Sequence, residues 1–362
     1  MGRPKRTQTI NRWFLEIMRK FILNSTLLMA STIFCLIILD FGVRFIMPHY
    51  DPSGHINFML NRDGVPISMR KGSFRQIKNT GDYNVLININ SLGLREQKLL
   101  EKSTSNDYFV VGDSFSFGWG VEEEERFSNI LDGLLLNSKV FNISIPTDFD
   151  GYPKLISYAK KNGATINKLI VGVTMENDIQ NYNDRLEGGP GRAFAPLDKL
   201  NLLWIKSFLH KNSASYFLLT SIIQQTPKLR DLLQKLGLIE DNLKVVKNLT
   251  YNKERVKQSA IILKSISNKI KTLILLIPSR GLWVGNRKNK QIADQLHKSF
   301  ISEIKKLNID YIDLRDKIEL SGNPMNLHFK HDGHWTKDAH SIAANELAKK
   351  IRFGFKSYSQ FN

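Results

Sequence analysis

Two short segments near opposite ends of the chain contain the residue types that acyl transfer requires. The stretch 108–120 is a brief apolar run leading into a Gly-Asp-Ser turn, which places Ser114 directly after a predicted strand. Far along the chain, Asp332 and His334 put a carboxylate beside an imidazole. A serine hydroxyl becomes a good nucleophile only when an imidazole takes its proton, and a carboxylate commonly orients that imidazole. Together the two segments predict a serine esterase.

Strands and helices alternate between these two segments. Apolar runs predict strands at 109–111, 139–143, 168–173, 272–277 and 311–314, and amphipathic periodicity predicts helices at 123–137, 153–162, 256–271, 290–307 and 337–351. This alternation is typical of right-handed βαβ units, which form a three-layer α/β/α fold around a five-stranded, mainly parallel sheet.

The predicted sheet also predicts where the chemistry takes place. Ligands of open α/β sheets bind beyond the carboxyl ends of the strands. Ser114 and Asn177 each follow a strand end, and Asp332 and His334 lie in the loop before the last helix. We therefore expect these four side chains to meet at one edge of the sheet.

One transmembrane helix is predicted before this domain. The segment from Phe21 to Leu39 has no charged residue and approaches the roughly 20 residues that cross a bilayer. The preceding tail carries one acid, Glu16, and six basic residues: Arg3, Lys5, Arg6, Arg12, Arg19 and Lys20. The positive-inside rule predicts a cytoplasmic tail at 1–20, a transmembrane anchor at 21–41, and a catalytic domain in the periplasm or outside the cell if the source is bacterial.

Two other interpretations of the apolar segment are open. A cleaved signal peptide would need a shorter apolar region and a small-residue cleavage site, and the residues after Asp40 offer none. A buried core helix would make the protein cytosolic, but it does not explain the basic flank. The single cysteine, Cys35, falls inside the span, so the exported part is expected to contain no disulfide.

The chain has a formal net charge of +18, more than its N-terminal tail provides. We interpret the excess as a solvated basic surface beside an anionic membrane face, with attraction to acidic glycans as the alternative. A nucleic-acid partner is not expected for an exported domain.

The exported part divides into a β-rich lead-in at 48–105 and a hydrolase domain at 106–355 with an insertion at about 185–255. The insertion could form a cap over the site, an amphipathic surface that touches lipid, or ordinary packing against the core. Within the lead-in, Asn90, Gly93 and Arg95 fit a hairpin turn followed by a surface arginine.

Four sequence blocks resemble those of the SGNH/GDSL hydrolase family and occur in the same order. They are Gly112-Asp113-Ser114, the stretch 142–148, Glu176-Asn177-Asp178, and Asp332-Gly333-His334. Each block alone is a common turn sequence, but four in order, each after the expected strand, form a specific pattern. The resemblance covers about residues 108–351 and implies the flavodoxin-like sheet of that family. The triplet Asn90, Gly93 and Arg95 also resembles a pattern of its anchored members.

The resemblance implies a role for each site residue. Ser114 would be the nucleophile, His334 the general base and Asp332 the group that orients it. The backbone amides of Ser114 and Thr147 and the side-chain amide of Asn177 would form the oxyanion hole. No cofactor and no metal are implied. A histidine-rich cluster at 328–340 could alternatively bind a metal, although its spacing matches no common zinc signature.

The sequence departs from the family pattern at two positions. Thr147 stands where the second block usually has glycine, so that its side chain is expected to crowd the pocket. Asp332 and His334 are separated by one residue, whereas the family usually has two. This Asp-x-His-Trp form resembles alginate O-acetyltransferase-like members of the superfamily.

The predicted function is removal of O-acyl groups, above all acetyl, from a cell-envelope or secreted glycan. The first alternative is an O-acetyltransferase, which would need a multi-spanning, membrane-bound acyltransferase as partner, because one span cannot carry an acyl donor across the bilayer. The second is a non-catalytic glycan-binding scaffold.

Overall fold

The computed structural model describes residues 5–52, 56, 58–179, 208–210, 212–236, 238 and 249–354. They form two compact units. The first contains the N-terminal helix and part of the predicted insertion, and the second contains the lead-in and the α/β domain. Much of the predicted insertion, including its Gly188 to Gly191 stretch, lies outside the described residues.

The second unit is built on a five-stranded sheet, as the sequence predicts. Its strands are β5 (Tyr108–Val111), β6 (Val140–Asn142), β7 (Lys168–Thr174), β8 (Lys271–Ile277) and β9 (Asp310–Asp313). The order is β6-β5-β7-β8-β9, and each neighbouring pair is parallel. This is the order 2-1-3-4-5 of flavodoxin-like sheets, so the predicted three-layer α/β/α class is confirmed. The central strands β7 and β8 are buried at every position after the first, which explains their continuous apolar sequences.

Helices pack on both faces of the sheet and also occur outside it. The helices of the described residues are α1 (Lys5–Ile46), α2 (Ser114–Phe117), α3 (Phe127–Leu134), α4 (Gly151–Lys161), α5 (Ala214–Gln225), α6 (Pro227–Lys235), α7 (Lys253–Ser267), α8 (Arg287–Lys306), α9 (Arg315–Leu320) and α10 (Lys337–Arg352). The sequence missed α9, a short helix directly after β9, and predicted α3 too long at both ends. Asparagine side chains cap the first turns of two helices. Before α7, Asn252 accepts a hydrogen bond from the backbone amide of Glu254, and before α8, Asn286 accepts one from the backbone amide of Asn289.

The predicted β-rich lead-in consists of two antiparallel hairpins. Strands β1 (Phe58–Leu60) and β2 (Pro66–Ser68) form the first, and β3 (Gly72–Ile77) and β4 (Asn84–Ile89) form the second. Apolar side chains of both hairpins join the same core cluster as one face of the main sheet. The lead-in is therefore packed into the core of this unit.

Arg95, expected on the surface, is buried, which corrects that interpretation. Only 1% of it is exposed. Its guanidinium donates to the carbonyl oxygens of Gly118 at 2.6 Å and of Val121 at 2.8 Å. A buried guanidinium that donates to several carbonyl groups fixes the backbone it contacts. Arg95 thus ties the end of the lead-in to the loop that follows Ser114.

In the first unit, α1 is long and apolar enough to cross a membrane over Trp13–Ile46, judged by length and composition. The helix continues past Asp40, where the apolar sequence ends. Asp40 pairs with Arg44 one turn later at 2.9 Å and accepts a hydrogen bond from the hydroxyl of Ser213 at 2.8 Å. These partners satisfy the carboxylate and let the helix run to Ile46.

His340 generates a prediction about acid stability. Its imidazole is buried, its Nδ1 accepts from the Phe127 amide at 3.3 Å, and burial, followed by the charges of Arg95 and Arg126, lowers its pKa to about 3. In the unfolded chain this histidine binds a proton near pH 6.5. In the folded protein it stays neutral until the pH is much lower, so the free energy of unfolding falls as the pH drops below 6.5. Between pH 7 and pH 5 this loss is about 2 kcal/mol.

We expect His340→Gln, whose side-chain oxygen can still accept from Phe127, to remove most of that loss. Denaturant unfolding at pH 7, 6 and 5 checks it. Buried His328, whose pKa burial lowers to about 4, leaves a residual slope in the variant. Equal slopes in wild type and variant would show that His340 does not titrate in this way.

Candidate active site

Ser114, His334 and Asp332 form one continuous chain of hydrogen bonds. The Nε2 atom of His334 lies 2.9 Å from Oγ of Ser114, and its Nδ1 atom lies 2.5 Å from Oδ1 of Asp332. Asp332 is 5% exposed, whereas Ser114 and His334 are half-buried at the carboxyl ends of the strands. The structure thus joins three of the four side chains that the sequence predicts to meet.

A tight turn between β5 and α2 presents the serine. Asp113 caps α2 by accepting from the Phe115 amide at 3.0 Å. Gly112 is required for space, because a Cβ there would lie 2.2 Å from Oγ of Ser116 and 2.9 Å from the carbonyl oxygen of Gly172. Close packing of this turn against β7 therefore requires glycine at position 112.

Asn177 reaches the same turn from the end of β7. Its Nδ2 atom donates to Oδ2 of Asp113 at 3.1 Å, and the hydroxyl of Thr174 donates to the other oxygen at 2.9 Å. Burial raises the pKa of Asp113, while Asn177 and Thr174 oppose that rise. An amide nitrogen carries two protons, so one can hold Asp113 while the other remains for a ligand.

Asp178, next in sequence, accepts from the Thr174 amide and from the hydroxyl of Tyr152.

The side chain of Thr147 packs against the start of α4. Its methyl and hydroxyl groups lie over Gly151 at the start of α4, where a Cβ would be 2.1 Å from Oγ1 of Thr147. Thr147 therefore packs against a glycine of its own loop, which accounts for its being tolerated here. Among the described residues, no group accepts a hydrogen bond from the amide of Thr147 or of Ser114.

The one-residue spacing between Asp332 and His334 has a geometric reason. Oδ1 of Asp332 accepts from the backbone amide of His334 at 3.0 Å as well as contacting its ring, so the two residues form a compact Asx turn. Gly333 lies between them, and a Cβ there would be 2.6 Å from Cζ of Arg280. Arg280 in turn forms a salt bridge with Glu176, next to Asn177, at 2.5 Å. This pair joins the loop that carries His334 to the loop that carries Asn177.

The charge on Asp332 is strongly favoured. Burial alone would raise its pKa, but the charge and hydrogen bond of His334 and the ammonium of Lys78 lower it well below its usual range. The Nζ atom of Lys78 lies 2.7 Å from Oδ2, the carboxylate oxygen that faces away from His334. Asp332 is thus held ionised by a partner on each side.

Two aromatic residues fix the plane of the His334 ring. Trp119 is nearly parallel to it, with a centroid distance of 5.6 Å and an interplanar angle of 27°, and Phe115 lies 5.2 Å away at 42°. Trp119 donates through Nε1 to the hydroxyl of Tyr83 at 2.7 Å. Trp335, the next residue after His334, is buried in the core, with 1% of its surface exposed. The tryptophan of the Asp-x-His-Trp block therefore anchors the loop in the core, where its ring packs on Phe115 and His340.

The histidine cluster is dispersed among separate contacts. His328 faces the carbonyl of Pro324, His331 lies against Asp82, and His340 is buried against α3. Within the described part of the chain, no group of three or more His, Cys, Asp or Glu side chains is arranged to hold a metal ion.

Sequence reasoning missed Lys78, Arg280 and Trp119. Trp119 follows the Gly-Asp-Ser turn by five residues, and its position there was a usable signal. Lys78 and Arg280 are ordinary basic residues in a basic chain, so that only the folded contacts single them out.

A model of the family described as SGNH hydrolase-like domain, acetyltransferase AlgX, matches residues 253–360. The match covers less than a third of the chain and includes the loop that carries Asp332 and His334. The predicted resemblance to SGNH/GDSL hydrolases is confirmed by this match. No curated protein matches the chain.

Solved structures with similar architecture include a member of the lipolytic G-D-S-L family from Veillonella parvula DSM 2008. It has 12% sequence identity and a TM-score of 0.39, and the match covers 68% of this chain and 98% of that one. An acetylxylan esterase from Geobacillus stearothermophilus has 12% identity and a TM-score of 0.37, covering 71% and 97%.

The packing of Gly112 gives a prediction with an internal control. Gly112→Ala should lower the free energy of unfolding by about 1 to 3 kcal/mol, because its methyl group would overlap Ser116 and a fixed backbone carbonyl. Gly133→Ala, on an exposed position of α3 with nothing within 4 Å, should raise it by about 0.4 to 1 kcal/mol. Denaturant unfolding of both variants beside wild type is the measurement. Equal stability of the two would contradict the packing described for the turn.

Proposed function

We propose that this protein is a serine esterase in which Ser114 is the nucleophile, His334 the general base and Asp332 the residue that orients it. The observation that carries the proposal is the unbroken hydrogen-bond chain from Oγ of Ser114 through the imidazole to Asp332. Two segments of the fold, far apart in sequence, supply its members, and the ring is held in plane by Trp119. A surface contact formed by chance would have no such support from the core.

The reaction proceeds in two stages. Nε2 of His334 takes the proton of Ser114 as Oγ attacks the ester carbonyl, and returns it to the departing alcohol oxygen as the acyl-enzyme forms. A water molecule then gives its proton to His334 and attacks the acyl group, which leaves as a carboxylic acid while Ser114 regains its hydrogen. Asp332 stays ionised throughout, because its pKa lies well below its usual range.

The oxyanion of each tetrahedral intermediate would be stabilised by the amides of Ser114 and Thr147 and by Nδ2 of Asn177. Two features support this assignment. Neither backbone amide donates to any other group of the described residues, and Asn177 is oriented toward the turn by its hydrogen bond to Asp113. Donors that are fixed before the reaction need no reorganisation when the charge develops.

The substrate would be an O-acylated glycan of the cell envelope or a secreted glycan, with acetyl as the acyl group. The family match supports acetyl as the acyl group, because the matched model describes an acetyltransferase-type SGNH domain. We infer that α1 anchors the protein in a membrane, with the basic tail in the cytoplasm and the catalytic domain in the periplasm or outside the cell.

The same match favours one alternative, an O-acetyltransferase. The acyl-enzyme would then be attacked by a sugar hydroxyl in place of water, and a membrane-bound partner would deliver the acyl group to Ser114. A glycan-binding scaffold without catalysis is the remaining alternative, and under it the Ser114 hydroxyl would be dispensable.

Release of nitrophenol from p-nitrophenyl acetate by the full chain in detergent tests the proposal. Ser114→Ala should reduce the rate to that of buffer, because no other nucleophile occupies its place. Ser265→Ala, on the exposed surface of α7, should leave the rate unchanged. Free acetate as product indicates an esterase, and acetylated oligosaccharide formed from an added acceptor indicates a transferase. Full activity of Ser114→Ala would refute the serine mechanism.

The oxyanion assignment is tested by Asn177→Ala, which should lower kcat by about 10² to 10³-fold. Because Asn177 also holds Asp113, Thr174→Val serves as the matched control. It removes the other side-chain donor to that carboxylate and leaves the oxyanion donors in place. We expect Thr174→Val to retain most of the activity. Equal losses in the two variants would assign the effect to Asp113.

A further inference from the structure

The turn of the β3–β4 hairpin lies against the loop that carries Asp332 and His334. Lys78, directly after β3, forms a salt bridge with Asp332, and Asp82 accepts from the His331 amide at 3.1 Å. Tyr83 accepts from Trp119, which stacks on His334, and packs on Phe329 at 5.1 Å. Residues of this one hairpin turn therefore contact either the loop that carries His334 or Trp119, whose ring stacks on His334.

The contact with Asp332 is the most consequential of these. A carboxylate orients an imidazole only if it does not rotate about its own bond. Oδ1 binds the ring and the backbone amide of His334, and Oδ2 binds Nζ of Lys78. With both oxygens engaged, the plane of the carboxylate is fixed. The ammonium also offsets part of the cost of burying its charge.

We propose that Lys78 is a positioning residue of the active site: its ammonium holds the Asp332 carboxylate in the orientation in which it binds Nδ1 of His334. The inference rests on the esterase mechanism proposed above and extends the site into the lead-in. The hairpin that precedes the hydrolase domain would then supply part of the catalytic apparatus.

A fixed carboxylate affects the chemical step more than the binding of a small ester. Loss of Lys78 should therefore lower kcat and leave KM nearly unchanged. A misplacement of a reacting group by 1 Å can cost about 100-fold in rate, so we expect a decrease of roughly 10- to 100-fold for Lys78→Ala. Lys78→Arg keeps the positive charge and should retain most of the activity.

The experiment compares Lys78→Ala, Lys78→Arg and the control Lys71→Ala, an exposed lysine of the same lead-in, with wild type on p-nitrophenyl acetate. Each is measured with and without added methylammonium, which can occupy the space left by the lysine ammonium. We expect methylammonium to raise kcat of Lys78→Ala several-fold and to leave Lys71→Ala unaffected. A purely structural role would not give this rescue.

The outcomes separate this inference from the proposed function. Wild-type kcat in Lys78→Ala, alongside an inactive Ser114→Ala, would overturn the role of Lys78 and leave the esterase intact. A lower kcat that neither arginine nor methylammonium restores would also overturn it, since the loss would then come from misfolding. A wild type without Ser114-dependent activity would overturn both.

Discussion

The site depends on one requirement: the His334 imidazole must bind Ser114 through one nitrogen and Asp332 through the other at the same time. The loop that carries His334 must therefore be rigid, because it has to hold the imidazole against a serine that lies far away in the sequence. The burial of Trp335 in the core supplies this rigidity, as do the hydrogen bond from the Thr336 amide to the Leu327 carbonyl and that from the Phe329 amide to the His334 carbonyl. Arg280 closes the other side by packing on Gly333 while it pairs with Glu176.

The lead-in hairpins and the main sheet share this task. Buried Arg95 binds the carbonyls of the loop that follows Ser114, and this loop presents Trp119 to the imidazole. Each such contact between buried polar groups costs desolvation and is retained only when its partners are satisfied. Because these contacts join the lead-in to the loops that carry Ser114 and His334, a shift of the lead-in would displace both residues.

Local sequence patterns predicted much of this structure. The parallel sheet and the strand ends that carry Ser114 and Asn177 follow from apolar periodicity, and the meeting of Ser114 with His334 and Asp332 follows from where their segments stand relative to the strands. The burial of Arg95, the packing of Thr147 on Gly151, and the contact of Lys78 with Asp332 did not, because each depends on residues brought together by tertiary packing. A basic residue in a chain of net charge +18 carries no local sign that its partner is a buried carboxylate. The predicted domain limits and the role of the 185–255 insertion remain predictions.

The proposed mechanism requires Ser114 to carry the acyl group. The most direct measurement is mass spectrometry of the full chain, quenched in acid within milliseconds of mixing with p-nitrophenyl acetate and then digested. We expect one acetyl group on the peptide that contains Ser114, formed in a burst and lost on longer incubation. Acetylation spread over surface lysines, with the Ser114 peptide unmodified at every time point, would contradict it.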